Sequence, residues 1–313
     1  MGKRVRPRRG TMQVWPRKRA KRSYAFIRSW NKSNAFKIFG FAGYKVGMIR
    51  LLAKDNSNHI TKGMQIVYPA TVIECPHLKP ISIRYYQRDS DPFSQAARVI
   101  GEERLDNPHK ELSRKIDIQK KKSKENKIAD YDYVMLQVYT QPPFKKKPEI
   151  FEIKIAKDFV EEAKKLKEIK LSDVFKEGQL VDIHAVTKGK GFQGAVKRFG
   201  VSIRSHKAEK TKRGVASLGA WHTRQMWTVP YAGTMGYHQR TEYNKLILKI
   251  GNKPTEVNPK AGFKHYGNVK SDYLIVKGSI AGASKRVITL LHAIRPTKRM
   301  TQTPEVKKLL IWN

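Results

Sequence analysis

Residues 187–245 limit most strongly what this chain can fold into. They open TKGKGFQGAVKRFGV, continue through RSHKAEKTKRGVASLGAWHTRQMW and close TVPYAGTMGYHQRTEYNK. Twelve Lys or Arg stand against two Glu, interleaved with eight Gly and seven aromatic residues. Such a stretch offers few branched aliphatics to bury, its glycines are costly to order and its like charges repel, so it is not expected to fold alone. A polyanion with flat faces would order it. Lys and Arg neutralise phosphates, glycine lets backbone N–H groups approach a sugar-phosphate chain, and aromatic rings stack on bases.

The whole chain shares this bias. Its 313 residues carry 65 Lys plus Arg and 26 Asp plus Glu, a net charge of +39, with a pI near 10.3. That excess points to nucleic acid as partner. The 39% hydrophobic content still suffices for a core. A single cysteine, Cys75, excludes an internal disulfide framework and a paired-thiol zinc knuckle, and fits a reducing cytoplasm. No apolar run reaches membrane-span length and no secretory signal is visible. Met1-Gly2 is followed by Arg6 where a myristoylation site needs Ser or Thr.

Residues 1–35 read as a basic extension. The first 32 contain twelve Lys or Arg and no acid, and Trp15, Tyr24, Phe26 and Trp30 sit among the cations. Short β-branched and aromatic runs then predict strands at 45–51 and 64–68 with a turn at 55–58 between them, and Pro69 is expected at an edge or bulge. Similar runs recur at 180–187, 245–250, 273–277 and 287–291. Together they predict a mainly β fold: a small closed or nearly closed barrel from 36–85, 171–186 and 246–295. Residues 86–170 hold 16 of the 26 acids and are nearly charge-balanced. They read as an inserted α/β module, with helical character at 108–122 and 156–170 and strands at 133–139 and 151–155. Residues 187–245 form the basic arm. Within the tail 296–313, Thr303-Pro304-Glu305 predicts the start of a terminal helix docked by Leu309, Leu310 and Trp312.

Catalytic motifs fail on context. Gly189-Lys190-Gly191-Phe192-Gln193-Gly194 matches the dinucleotide glycine pattern, but the nearest downstream acid, Glu209, lies in a basic run, and the companion motifs of a kinase are absent. The loop 278–286 lacks the Gly-Lys-Ser/Thr ending of a phosphate loop. His206, His222 and His238 lack organising carboxylates beyond Glu209 and Glu242, so no metal site is expected. Cys75 with His77 reads as core rather than as a nucleophilic pair. No cofactor is expected either. An RNA-modifying or nucleotide-binding enzyme using 189–194, and a DNA architectural protein, stand as the alternatives.

GKGFQGAVKRFG at 189–200, LGAWH at 218–222, MWTVPYAG at 226–233, MGYHQRTEYNK at 235–245, HYGNVKSDYLIVKGSIAGASKR at 265–286 and AIRP at 293–296 occur in an order that closely resembles the universal large-subunit ribosomal protein three family. The opening MGKRVRPRRG with WPRKRAKR resembles its archaeal branch, and the presence of the insert resembles archaeal and eukaryotic members rather than bacterial ones. The resemblance implies a translation-protein-type β-barrel on the large subunit, with tail and arm penetrating large-subunit ribosomal RNA and no catalysis. It further implies an early assembly role near the RNA's 3′ domain, with Trp221 at the arm tip pointing toward the peptidyl-transferase region. Large-subunit protein fourteen and a small zinc-ribbon protein are the implied neighbours. The expected RNA-binding residues are Arg4, Arg8, Arg9, Arg17, Lys18, Arg19, Lys21 and Arg22 of the tail. From the arm come Lys188, Lys190, Phe192, Gln193, Lys197, Arg198, Arg204, His206, Lys207, Lys212, Arg213, Trp221, His222, Arg224, Trp227, Tyr237, His238 and Arg240, and beyond it Lys285 and Arg286. Gly189, Gly191 and Gly194 are expected to permit close backbone approach.

Overall fold

A computed structural model of the chain describes residues 15–33, 35–89, 97–105, 110–116, 130–208, 210–215, 218–219, 228–297 and 303–311. The strands in order are β1 (Gly40–Lys54), β2 (Gln65–Glu74), β3 (Leu78–Arg88), β4 (Ala97–Arg104), β5 (Tyr133–Thr140), β6 (Glu149–Ile155), β7 (Leu180–Val186), β8 (Phe192–Gln193), β9 (Gly233–Thr234), β10 (Gln239–Gly251), β11 (Tyr273–Lys277), β12 (Val287–His292) and β13 (Glu305–Leu310). Among the described residues three short α-helices join them: α1 (Val160–Lys165), α2 (Leu171–Val174) and α3 (Ala195–Phe199). The chain divides into two compact units, one formed by residues up to Arg22 with Val186–Gln239, the other by Ser23–Ala185 with Arg240–Asn313.

In the larger unit β1 organises the main sheet. Ile49, Leu51 and Ala53 point into the core while Met48 and Arg50 face out, the period-two pattern of a half-buried strand. One edge of β1 pairs antiparallel with β2 from Tyr44↔Glu74 to Lys54↔Gln65. Its other edge is shared. Gly40–Tyr44 pair with β12, and Arg50–Lys54 pair with β13. The strand order is β12-β7-β10-β11-β2-β1-β13, and the additional β12–β1 pairing closes a ring of six strands. Pro69 lies opposite Arg50 of β1, one residue before the β11 pairing begins at Ala70, so no ladder bond is lost to its missing N–H.

The second sheet, β4-β3-β5-β6, is fully antiparallel. One face of β3, β5 and β6 contributes Ile83, Val134, Leu136, Val138 and Ile153 to the same core as Phe41, Tyr44, Ile73 and Phe175. Isolated bridges Ile38↔Ile155 and Leu78↔Ile169 tie this sheet to its surroundings. Two buried carboxylates are matched by donors: that of Glu74 accepts from Lys270 N (2.7 Å), Ser271 N (2.9 Å) and the Tyr266 hydroxyl, pinning the 258–272 loop. Asp182 likewise accepts from the backbone N–H groups of Asn244 and Ile294, both at 2.9 Å.

Three expectations are corrected here. The terminal helix is a strand: β13 adds to the half of β1 that β12 leaves unpaired, and backbone ladder bonds outweigh the helical look of Thr-Pro-Glu; Trp312 is outside the described residues. The helix over 156–170 is a single 3₁₀ turn followed by the short α1, ended where Leu166 turns extended (ψ 125°). Of the helix expected over 108–122, the described part is a 3₁₀ turn, Lys110–Arg114. The sheet beside it begins at Leu78, ahead of the insert boundary at 86, and includes β3 and β4, which residue patterning did not signal.

Candidate nucleic-acid interface

The smaller unit is built on three local devices. At its base, Thr187 N donates to His238 O (2.9 Å) and His238 N to Thr187 Oγ1 (3.0 Å). Beyond this, Lys190 N donates to Met235 O and Met235 N to Gly191 O, each at 2.9 Å, leading into the β8–β9 ladder Phe192↔Thr234 and Gln193↔Gly233. Gly236 makes the approach of the two segments possible: at φ 79° an added Cβ would lie 2.2 Å from Lys188 O. Helix α3 then turns the chain and ends at Gly200, which adopts the left-handed conformation of a C-terminal cap (φ 68°).

The tail is stitched onto this base. The Trp15 ring packs with its centroid 5.0 Å from that of Phe199, and the Arg17 guanidinium lies over the same Phe199 ring, 4.2 Å from its centroid. Arg17 Nη1 donates to Arg198 O (2.5 Å), His238 Nδ1 to Lys18 O (2.8 Å), and Ala20 N to Tyr237 O (2.8 Å). Arg19 sits 5.6 Å above the Tyr237 ring. Phe199, Ala195 and Val215 are buried. The expectation that the cationic stretch cannot organise itself is therefore corrected in part: aromatic packing and backbone pairing give its base internal order.

This geometry sorts the expected RNA-binding residues. Three arginines hold protein carbonyls: Arg17 as above, Arg198 through Nε to Thr234 O (3.2 Å) and Nη1 to Tyr231 O (3.0 Å), and Arg204 through Nη2 to Val215 O (2.7 Å). A guanidinium with five donors in a fixed fork suits such bracing. Gln193 braces its own loop through Lys190 O (2.6 Å). His238 is buried, its Nε2 accepting from Gly236 N (3.1 Å); the tautomer with hydrogen on Nδ1 satisfies both contacts, so it pins tail to arm and offers no free edge. Lys18, Arg19, Lys21, Arg22, Lys188, Lys190, Phe192, Lys197, His206, Lys207, Lys212, Arg213 and Lys285 are exposed, whereas Tyr237, Arg240 and Arg286 are half-buried. Arg4, Arg8, Arg9, Trp221, His222, Arg224 and Trp227 lie outside the described residues. Tyr231 and Lys210, exposed beside these groups, were not singled out from the sequence; only their place in a basic, aromatic stretch signals them.

Electrostatics separate the two units. In the larger one carboxylates meet basic side chains: Arg84 bridges Glu152 (2.5 Å) and Glu102 (3.2 Å), Lys164 meets Glu103 (2.9 Å), and the His77 ring lies between Glu168 (3.1 Å) and Asp272 (3.2 Å). Among the described residues of the smaller unit, Lys188, Lys190, Lys197, Lys207, Lys210, Lys212 and Arg213 form no ion pair. A surface dense in charge of one sign attracts polyanions.

The other motifs show no chemistry. Cys75 is buried, its thiol pushed well above the usual range by burial, with the Glu74 and Asp272 carboxylates adding to the effect; a thiol so placed is not a nucleophile. The loop at 278–286 presents carbonyls, not N–H groups: Lys45 Nζ donates to Ile280 O and to Gly282 O (3.2 Å), and Lys245 Nζ to Ser279 O (2.8 Å). That polarity is opposite to a phosphate cradle. Among the described residues no three His, Cys, Asp or Glu side chains converge as metal ligands.

A β-sheet body bearing a tail-braced cationic arm defines a structural, nucleic-acid-associated protein. The chain belongs to the ribosomal protein L3 family, whose profile matches residues 1–135 and 134–312. It is 43% identical over 324 residues to the large ribosomal subunit protein uL3 of Methanocaldococcus jannaschii, covering 96% of this chain and 95% of that protein. The uL3 of Methanobrevibacter smithii is 43% identical over 323 residues (96% and 95%), and that of Archaeoglobus fulgidus 42% over 316 (94% and 93%).

Proposed function

We propose that the chain is a structural constituent of the large ribosomal subunit, located with the ribosome in the cytoplasm, that binds large-subunit, 23S-type ribosomal RNA and carries out no catalysis. Membership of the L3 family and uL3 relatives aligned over nearly the full length support this reading. The observation that carries it is the set of exposed lysines on the arm that form no ion pair among the described residues, in contrast to the carboxylate–cation pairs of the larger unit.

In this reading residues 1–35 and 187–245 enter the RNA, the strands of 36–85, 171–186 and 246–295 form a translation-protein-type barrel, and 86–170 is an inserted module facing away from phosphate. The closed cycle of six strand pairings supports the barrel, and the paired acids of the 86–170 region support its position. Early assembly, an arm directed with Trp221 toward the peptidyl-transferase centre, and contact with protein fourteen and a small zinc-ribbon protein complete the proposal. Binding works by mutual ordering: the arm loses conformational freedom, offset by counterion release and stacking.

Competition binding tests it. Full-length protein on large-subunit RNA is challenged with duplex DNA at raised salt; retained RNA binding supports the proposal. Equal displacement by any duplex would instead identify an architectural DNA binder, and stabilisation by a nucleotide cofactor an enzyme.

A further inference from the structure

Phe192 is the most exposed of the described large hydrophobic side chains in the smaller unit, at 75%. It is not a random excursion. Its backbone is fixed by pairing with Thr234, the loop before it is closed by the Lys190–Met235 and Met235–Gly191 hydrogen bonds, and the Gln193 amide braces Lys190. A rigidly mounted ring with no ring partner among the described residues leaves much of its apolar surface in water.

The glycines beside it add a second observation. Gly236 and Gly233 have internal reasons to be glycine, since an added Cβ would meet Lys188 O at 2.2 Å and Arg198 Nη1 at 2.7 Å. Gly194, the N-cap of α3, has no steric or dihedral one: its φ is −66°, accessible to any residue, and a Cβ there meets nothing within 4 Å. At Gly189 the nearest atom to an added Cβ is 4.0 Å away. Open space on the protein side leaves the constraint to a partner's close approach. Lys190 and Lys197, both exposed and without ion pairs among the described residues, lie one residue after Gly189 and three after Gly194 in the chain.

We propose that Phe192 is a stacking post for one unpaired base of the bound RNA, with the open backbone at Gly189 and Gly194 and the ammonium groups of Lys190 and Lys197 taking the phosphates on either side of it. The inference rests on the RNA-bound reading above and narrows it: the ligand is a bulged or loop nucleotide, not the groove of a duplex. A regular helix hides its base faces, whereas an unstacked base presents one to an aromatic ring. Charge alone explains the lysines. It does not explain an exposed, braced phenyl ring.

The test uses the full chain and a large-subunit RNA transcript, with base reactivity read nucleotide by nucleotide for wild type, Phe192→Leu and Phe192→Trp. The expected result is that F192L weakens binding roughly 5- to 150-fold, the range of one lost base–aromatic stack, and raises reactivity at one base or two adjacent bases. F192W is expected to restore both. If F192L leaves every base as protected as in wild type, or if the affected positions are paired in a helix, the proposal is overturned. Wild-type protein that fails to bind the transcript overturns the RNA-bound reading itself, a separate outcome. Amide exchange at Met235 checks that the β8–β9 mount is intact in each variant.

Discussion

Nδ1 of His238 lies 2.8 Å from the carbonyl oxygen of Lys18, a contact spanning 220 residues. With the Ala20–Tyr237 bond beside it, this contact makes tail and arm a single element. The tail is thus part of the arm's fold as well as of its charge.

Replacing His238 by Ala leaves Lys18 O and Gly236 N without their partner. The expected cost is about 1–3 kcal/mol of local stability, the penalty for abandoned buried polar groups. Faster amide exchange at Ala20, Thr187 and Gly236, with β11 and β12 unchanged, is the readout. Unchanged exchange at Ala20 would contradict the bracing role.

Neighbouring cations are expected to behave differently. Arg198→Ala removes bonds to Thr234 O and Tyr231 O and should loosen the 231–235 turn by about 1–2 kcal/mol, seen as faster exchange at Met235. Lys197→Ala should leave the turn intact and lower the slope of log affinity against log salt by about 0.7–0.9, one phosphate contact. Salt titration of both variants separates a folding cation from a binding one.

Gly236→Ala forces a Cβ to within 2.2 Å of Lys188 O at a φ of 79° and should cost at least about 2 kcal/mol in local stability. Gly194→Ala meets open space and should change stability by less than about 0.5 kcal/mol. Exchange rates across 187–200 and 233–238 distinguish the two.

Burial lowers the pKa of His292 to about 4. Its ring stacks on Phe36 (3.8 Å, 8°) and packs against Phe175. The folded state resists protonation that the unfolded state accepts near the ordinary value of 6.5, so this residue's contribution is complete above that pH and is lost as pH falls toward 4. In urea unfolding at pH 7 and 4.5, His292→Phe should lose less stability on acidification than wild type, by about 1–2 kcal/mol after allowing for solvent screening. Equal losses would contradict the burial argument.

Much of the larger unit was legible because its strands carry β-branched residues in period two: the run at 273–277 matches β11 residue for residue, and 287–291 falls one short of β12. Strand β3 was missed because Pro80 and three charged residues, Lys79, Arg84 and Arg88, interrupt its pattern; the proline is absorbed at a bulge between Pro80 and Ser82. Strand β13 was misread because Glu305–Leu310 has helical spacing, while the partner that makes it a strand, Arg50–Lys54 of β1, lies some 250 residues away. The basic character of the arm was plain in the sequence, but its division of labour was not. Nothing local in Arg-Phe-Gly or Tyr-His-Gln marks Arg198 or His238 as braces, because their partners are backbone carbonyls brought together only by the fold.

The arm is proposed to reach into large-subunit RNA. Nucleotide footprinting of that RNA with the full chain and with a chain lacking 204–227 tests it most directly. The account expects the deletion to abolish a set of interior protections while leaving those made by the body in place; an unchanged footprint would contradict it.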